Sequence, residues 1–226
     1  MEITDFVFSL TEIIGTVSFA VSGAMIAISR KLDAFGVLAL GMVTAFGGGA
    51  VRDLLIGFVP PRCFYSFPLL AVAFVSALAV FVVAYILRER YFQNEKAIDN
   101  INNIVDSVGL AAFTVSGIQA AISAGEAENP YFCIFLGMLT GVGGGILRDC
   151  MSRTIPIVFT KRVYATASIV GGAVYYSLLH FSINGTVSAA IGMAMIVAIR
   201  ICATVFHWSL PKISLHEEPE AEIIKK

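Results

Sequence analysis

The stretch "AFGGGAVRDLLIG", residues 45–57, sets three glycines and an Arg-Asp pair inside a segment otherwise apolar enough to cross a bilayer. A second version, "GVGGGILRDCMSR", occupies residues 141–153. Gly47, Gly48, Gly49, Arg52 and Asp53 therefore recur as Gly143, Gly144, Gly145, Arg148 and Asp149, always 96 positions later. Gly41-Met42 and Thr44 recur at the same spacing as Gly137-Met138 and Thr140. Upstream, Gly15, Phe19 and Ser22-Gly23 return as Gly109, Phe113 and Ser116-Gly117, now 94 positions on, and downstream Pro60 matches Pro156. The two-residue difference fits the longer loop "AGEAENP" of the second copy.

The chain around this repeat is that of a membrane protein. Of its 226 residues 58% are hydrophobic, and the mean hydropathy of +0.85 excludes an ordinary soluble domain. A helix needs roughly 20 apolar residues to cross the hydrocarbon core. Charges and polar runs cut the chain into seven such segments, at 9–29, 34–57, 66–87, 104–124, 131–151, 163–182 and 184–205. The expected architecture is thus an all-α integral membrane domain over 1–205, with a polar, charged tail over 206–226. The first residues, "MEITDF", lack the basic flank of a signal peptide, so the first segment is expected to be retained. Cys63, Cys133, Cys150 and Cys202 stand singly, without CxxC spacing, and read as packing residues.

Lysine and arginine set the orientation. With seven spans, thirteen basic residues fall on one side and only Arg52 and Arg62 on the other. The positive-inside rule then puts the N-terminus outside and the C-terminus in the cytoplasm. Repeat one covers about 9–87 and repeat two about 104–182, with the seventh helix outside the pattern. Three spans per repeat is an odd number, so the second copy enters the membrane from the opposite side. Such inverted repeats commonly place a transport path at their interface, often on interrupted helices.

Each glycine in a helix interior costs about 1 kcal/mol relative to alanine, so a triplet weakens its helix by roughly 3 kcal/mol. The duplicated triplets, each followed by buried charge, are expected to kink or unwind the second and fifth segments beside a polar path. Thr44 and Thr140, one turn earlier, would add hydroxyls to that path. The competing reading is close packing, since Gly41, Ala45 and Gly49, like Gly137, Gly141 and Gly145, follow the small-xxx-small pattern.

Charges within a span mark a hydrated pathway or a paired interior site. Neighbouring helical residues point about 100° apart, so Arg52 with Asp53, and Arg148 with Asp149, are not expected to pair directly. Opposite insertion puts the two pairs nearly 20 Å apart in depth, which excludes cross-pairing and predicts two separate polar centres, one at each mouth of a narrow path. Asp53 and Asp149 are expected to offset the arginines, because a bare arginine at a mouth would repel cations. "GGGAVRD" lacks the Gly-Lys-Ser/Thr ending of a phosphate loop, and no nucleophile-base set has a plausible spacing. Neither an enzyme, a resident cofactor or metal, nor a nucleic-acid partner is expected.

Seven spans, two three-span halves and "GGGxxRD" in the second helix of each resemble the trimeric intracellular cation channels, in their prokaryotic branch. That resemblance implies a homotrimer among membrane lipids, with a pore inside each protomer. It implies that the helices matching segments two and five bend at the glycines and pass potassium or sodium. The basic lipid-binding motif of animal members is missing from "RDCMSRTIPI". Some bacterial relatives are described as glycine transporters, so a carrier for a small zwitterion is the alternative to a potassium-permeable channel. The expected location is a bacterial or archaeal plasma (inner) membrane.

Overall fold

Helices α1 (Ile3–Ser29) and α4 (Glu95–Ala121) lie side by side through the centre of a computed structural model that describes residues 3–88, 95–160, 163–206 and 208. Most of the predicted tail lies outside the described residues. Against this pair pack α2 (Ala34–Leu55) and α5 (Pro130–Met151), which also touch each other. Helix α3 (Phe67–Leu87) covers α1 and α2. Helices α7 (Ala165–His180) and α8 (Gly185–Val205) pair with one another and cover α5 and α4 respectively, and the single turn α6 (Ile157–Thr160) links α5 to α7. Among the described residues there are eight α-helices, six of them long and apolar enough to cross a membrane. The helix within the predicted span 163–182, α7, has 16 residues and falls short of that length.

The helix starts are written locally. Asp33 caps α2 by accepting from the Gly36 amide at 2.8 Å, and Asn129 caps α5 through the Phe132 amide at 3.1 Å. Asn184 does the same for α8. Pro130 sits in the first turn of α5, where its missing N–H costs nothing. Helix α4 begins nine residues before the predicted boundary at 104. Its polar start stays helical because Ile98 and Ile101 line an apolar groove with α1 and α3, while Asn102 and Asn103 bond to neighbouring helices. Helix α3 is the most hydrophobic and among the most exposed, as expected of a helix turned to lipid.

The expected helix breaks are not present. Both α2 and α5 are continuous α-helices through Gly47–Gly49 and Gly143–Gly145. The close-packing reading is the one that holds for four of these six glycines. A Cβ built on Gly48 would collide with the Thr140 carbonyl oxygen, and one on Gly144 with the Thr44 carbonyl oxygen. Gly143 faces the Gly48 Cα, and a Cβ on Gly47 would strike the Leu147 side chain. Residues 44 and 48 thus meet 144 and 140, an antiparallel crossing close enough for backbone contact. Glycine makes a break and a close crossing equally accessible, and here packing against the second helix holds the backbone helical. Thr44 and Thr140 do not add hydroxyls to a path either. Both are fully buried, and each donates at 2.6 Å to the carbonyl one turn back, Leu40 and Leu136.

Phe19 and Phe113 meet edge to face at the centre, with ring centroids 5.2 Å apart. Each ring reaches the glycine of the other half, Phe19 against Gly109 and Phe113 against Gly15.

Candidate functional site

Arg52 lies in the last turn of α2 and is 2% exposed. Its Nη1 donates to Glu12 Oε1 of α1 at 2.8 Å and to Ser116 Oγ of α4 at 2.9 Å. Its Nε donates to Asp53 Oδ1 at 2.9 Å. Ser116 Oγ in turn donates to Glu12 at 2.9 Å, and Asp53 Oδ2 accepts from the Arg62 amide at 2.8 Å. One carboxylate thus binds the guanidinium and fixes the following loop.

The same pattern repeats around Arg148. Its Nη1 donates to Asp106 Oδ1 of α4 at 2.6 Å and to Ser22 Oγ of α1 at 2.5 Å. Its Nε donates to Asp149 Oδ1 at 2.9 Å, and Asp149 Oδ2 accepts from the Ile157 amide at 2.8 Å. Each arginine therefore binds an acid on the first helix of its own half and a serine on the first helix of the other half. Glu12 lies beside Ser116, and Ser22 contacts Asn102, so α1 and α4 run antiparallel.

Each arginine does pair with the aspartate beside it. The 100° rule treats side chains as rigid spokes, but the arginine tip extends to α1 and α4, and the chain passes the neighbouring carboxylate at Nε. The main acid partners, Glu12 and Asp106, were not singled out. They stand 94 positions apart, at the spacing of Phe19/Phe113, but as Glu in one copy and Asp in the other they escape a search for identical residues.

Each centre borders a cavity. The first, about 400 Å³, touches Glu12, Thr16, Gly49, Arg52, Asp53 and Phe113, among others. The second, about 630 Å³, touches Arg30, Lys31, Asn102, Asp106, Asp149 and Thr154 among its lining. Helix α1 contributes Glu12 to one and Ile26 to the other, fourteen residues apart, or about 20 Å at 1.5 Å per residue. Buried Phe19 and Ser22 occupy the stretch of α1 between them. Of the twelve residues singled out from the sequence, Gly49, Arg52 and Asp53 line the first cavity and Asp149 the second. Gly47, Gly48, Gly143, Gly144, Gly145, Thr44, Thr140 and Arg148 are not in the lining of either.

Burying an arginine is costly unless it is paired and fully hydrogen-bonded. Serine's part can be separated from that of the acids. Ser116→Ala should lower the unfolding free energy by about 1.5–3 kcal/mol, the range for a hydrogen bond to a charged group. Denaturant titration of the purified protein in detergent measures this, and no change would mean that Ser116 does not support Arg52.

A family model described as glycine transporter matches this chain in two blocks, residues 9–85 and 103–180, one in each half of the repeat. The UPF0126 inner membrane protein YadS of Escherichia coli (strain K12) is 36% identical over 207 residues, 91% of this chain and 96% of its own length. Among solved structures, the TRIC trimeric intracellular cation channel orthologue from Rhodobacter sphaeroides is 29% identical, with a TM-score of 0.79 over 89% of this chain and 99% of that one. A prokaryotic TRIC channel is 30% identical, with a TM-score of 0.81 over 91% and 99%.

Proposed function

The chain belongs to the trimeric intracellular cation (TRIC) channel family, in its prokaryotic branch, and from that premise we propose that it is a potassium-permeable monovalent-cation channel with a path inside each protomer. The observation that carries this reading is the pair of matched Arg-carboxylate centres, each beside a cavity, which meet α1 at Glu12 and Ser22, about 15 Å apart along the helix. Seven spans in two inverted halves, with the N-terminus outside, account for both cavities. The first is built from the start of α1 and the end of α2, the second from the end of α1 and the start of α4. Arg52 and Arg148 are each flanked by two carboxylates, so neither buried guanidinium faces an approaching cation as an uncompensated charge. The path then runs along the α1–α4 seam, past Gly49 and the two phenylalanines, and not through unwound backbone. Assembly as a homotrimer follows the relatives, which are trimeric channels by name.

The alternative, a carrier for a small zwitterion, draws on the description of the family model. One experiment separates the two. Purified protein in potassium-loaded liposomes should release potassium down its gradient without saturation, and glycine uptake measured in parallel should be at background. Saturable glycine uptake with no potassium release would reject the channel and support the carrier.

A further inference from the structure

The two centres match in their arginine, acids and serine, yet differ in what closes them. At the first, the cavity reaches Gly49 and Arg52. A Cβ on Gly49 would find nothing nearer than Arg52 Nη2, at 3.6 Å. At the second, the cavity stops at the carboxylates of Asp106 and Asp149, and Arg148 is fully buried. The space beside Gly145 is taken by the Tyr164 hydroxyl, 3.1 Å from where a Cβ would stand, with Arg148 Nη2 at 3.7 Å.

Tyr164 has no counterpart of its size in the first half. At the same 96-residue spacing stands Pro68, which lines the first cavity. Tyr164 stands just before the first residue of α7, and its ring lies under the Arg200 guanidinium at 4.6 Å. Arg200 comes from α8, outside the repeat, and is held by Asn103 Oδ1 at 2.7 Å and Ser107 Oγ at 3.2 Å. Tyr164, Asp106, Arg148 and Arg200 thus form one buried cluster, with Asp106 Oδ2 3.8 Å from Arg200 Nη2.

We propose that Tyr164, clamped by Arg200, is the side chain that closes the second centre, filling beside Gly145 and Arg148 the space that at the first centre belongs to the cavity. The inference rests on the channel reading and deepens it, because the two ends of the path are then closed by different residues. In the closed state the tyrosine ring is held in place by the apolar cluster of Leu110, Val142 and Ile196 and by the Arg200 guanidinium over its face.

Potassium release from liposomes tests this with two variants of opposite expected sign. Tyr164→Ala should raise release several-fold over wild type, whereas Gly49→Leu, which fills the first cavity, should lower it. A tyrosine that only fills the core would give the reverse for Tyr164→Ala, since a loosened core does not improve conduction. If Tyr164→Ala does not fold, Tyr164→Leu keeps apolar volume while vacating the hydroxyl end, and carries the same expectation. Release at or below wild type from a variant that elutes and melts normally overturns the gate and leaves the channel standing. No potassium release from wild type overturns both.

Discussion

Asp106→Ala should destabilise this protein more than loss of any other single carboxylate. Asp106 Oδ1 binds Arg148 Nη1 at 2.6 Å, and Oδ2 lies 3.8 Å from Arg200 Nη2. All three side chains are at most 2% exposed. Removing one partner of a buried pair costs about 3–5 kcal/mol, because the remaining charge keeps its desolvation penalty without its partner. An arginine has no way to relieve this by giving up its proton. Here one truncation strands two guanidinium groups, and only Arg148 retains a second acid, Asp149. Glu12→Ala should be milder. Glu12 is 14% exposed, a single arginine depends on it, and the neighbouring cavity admits water to the site. Asp106→Asn, which keeps the shape and one acceptor, should fall between the two. Denaturant titration in detergent measures the order, and an Asp106→Ala protein within about 1 kcal/mol of wild type would overturn the account, since that is the size of an ordinary substitution effect.

Replacing glycine by alanine inside a helix normally stabilises by up to about 1 kcal/mol. At Gly48 and Gly144 the sign should reverse. The added methyl meets a backbone carbonyl oxygen of the other helix, Thr140 or Thr44, and no side-chain rotation can relieve that contact. Overpacking of this kind costs typically 1–3 kcal/mol, so Gly48→Ala and Gly144→Ala should each be net destabilising and should push α2 and α5 apart. Gly49→Ala is the internal control. Its methyl has 3.6 Å of clearance and lies at the cavity wall, so stability should hold or rise. If all three alanines behave alike, the crossing at Gly48 and Gly144 is not what the triplets are for.

The repeat was legible because selection for matched packing leaves matched residues. Gly15, Phe19, Ser22 and Gly48 recur at fixed spacings and make equivalent contacts in both halves. The acids Glu12 and Asp106 were less legible, since carboxylate chemistry is shared by two residue types. Tyr164 and Arg200 could not be read at all from the repeat, for they lie outside its pattern of matches. Their roles come from α7 and α8 being folded back onto α4 and α5.

By itself the sequence determined the membrane class, the duplication and the presence of charge where a bilayer would otherwise exclude it, since these depend on composition and spacing along the chain. Only the tertiary structure decided what the glycines do and whom the arginines bind. A glycine lowers the barrier to breaking a helix and to crossing one alike, and the choice is made by the backbone that arrives from some 96 residues away. An arginine's partner is likewise whatever acid lies within the sweep of its side chain, a matter of distance in space that spacing along the chain does not fix.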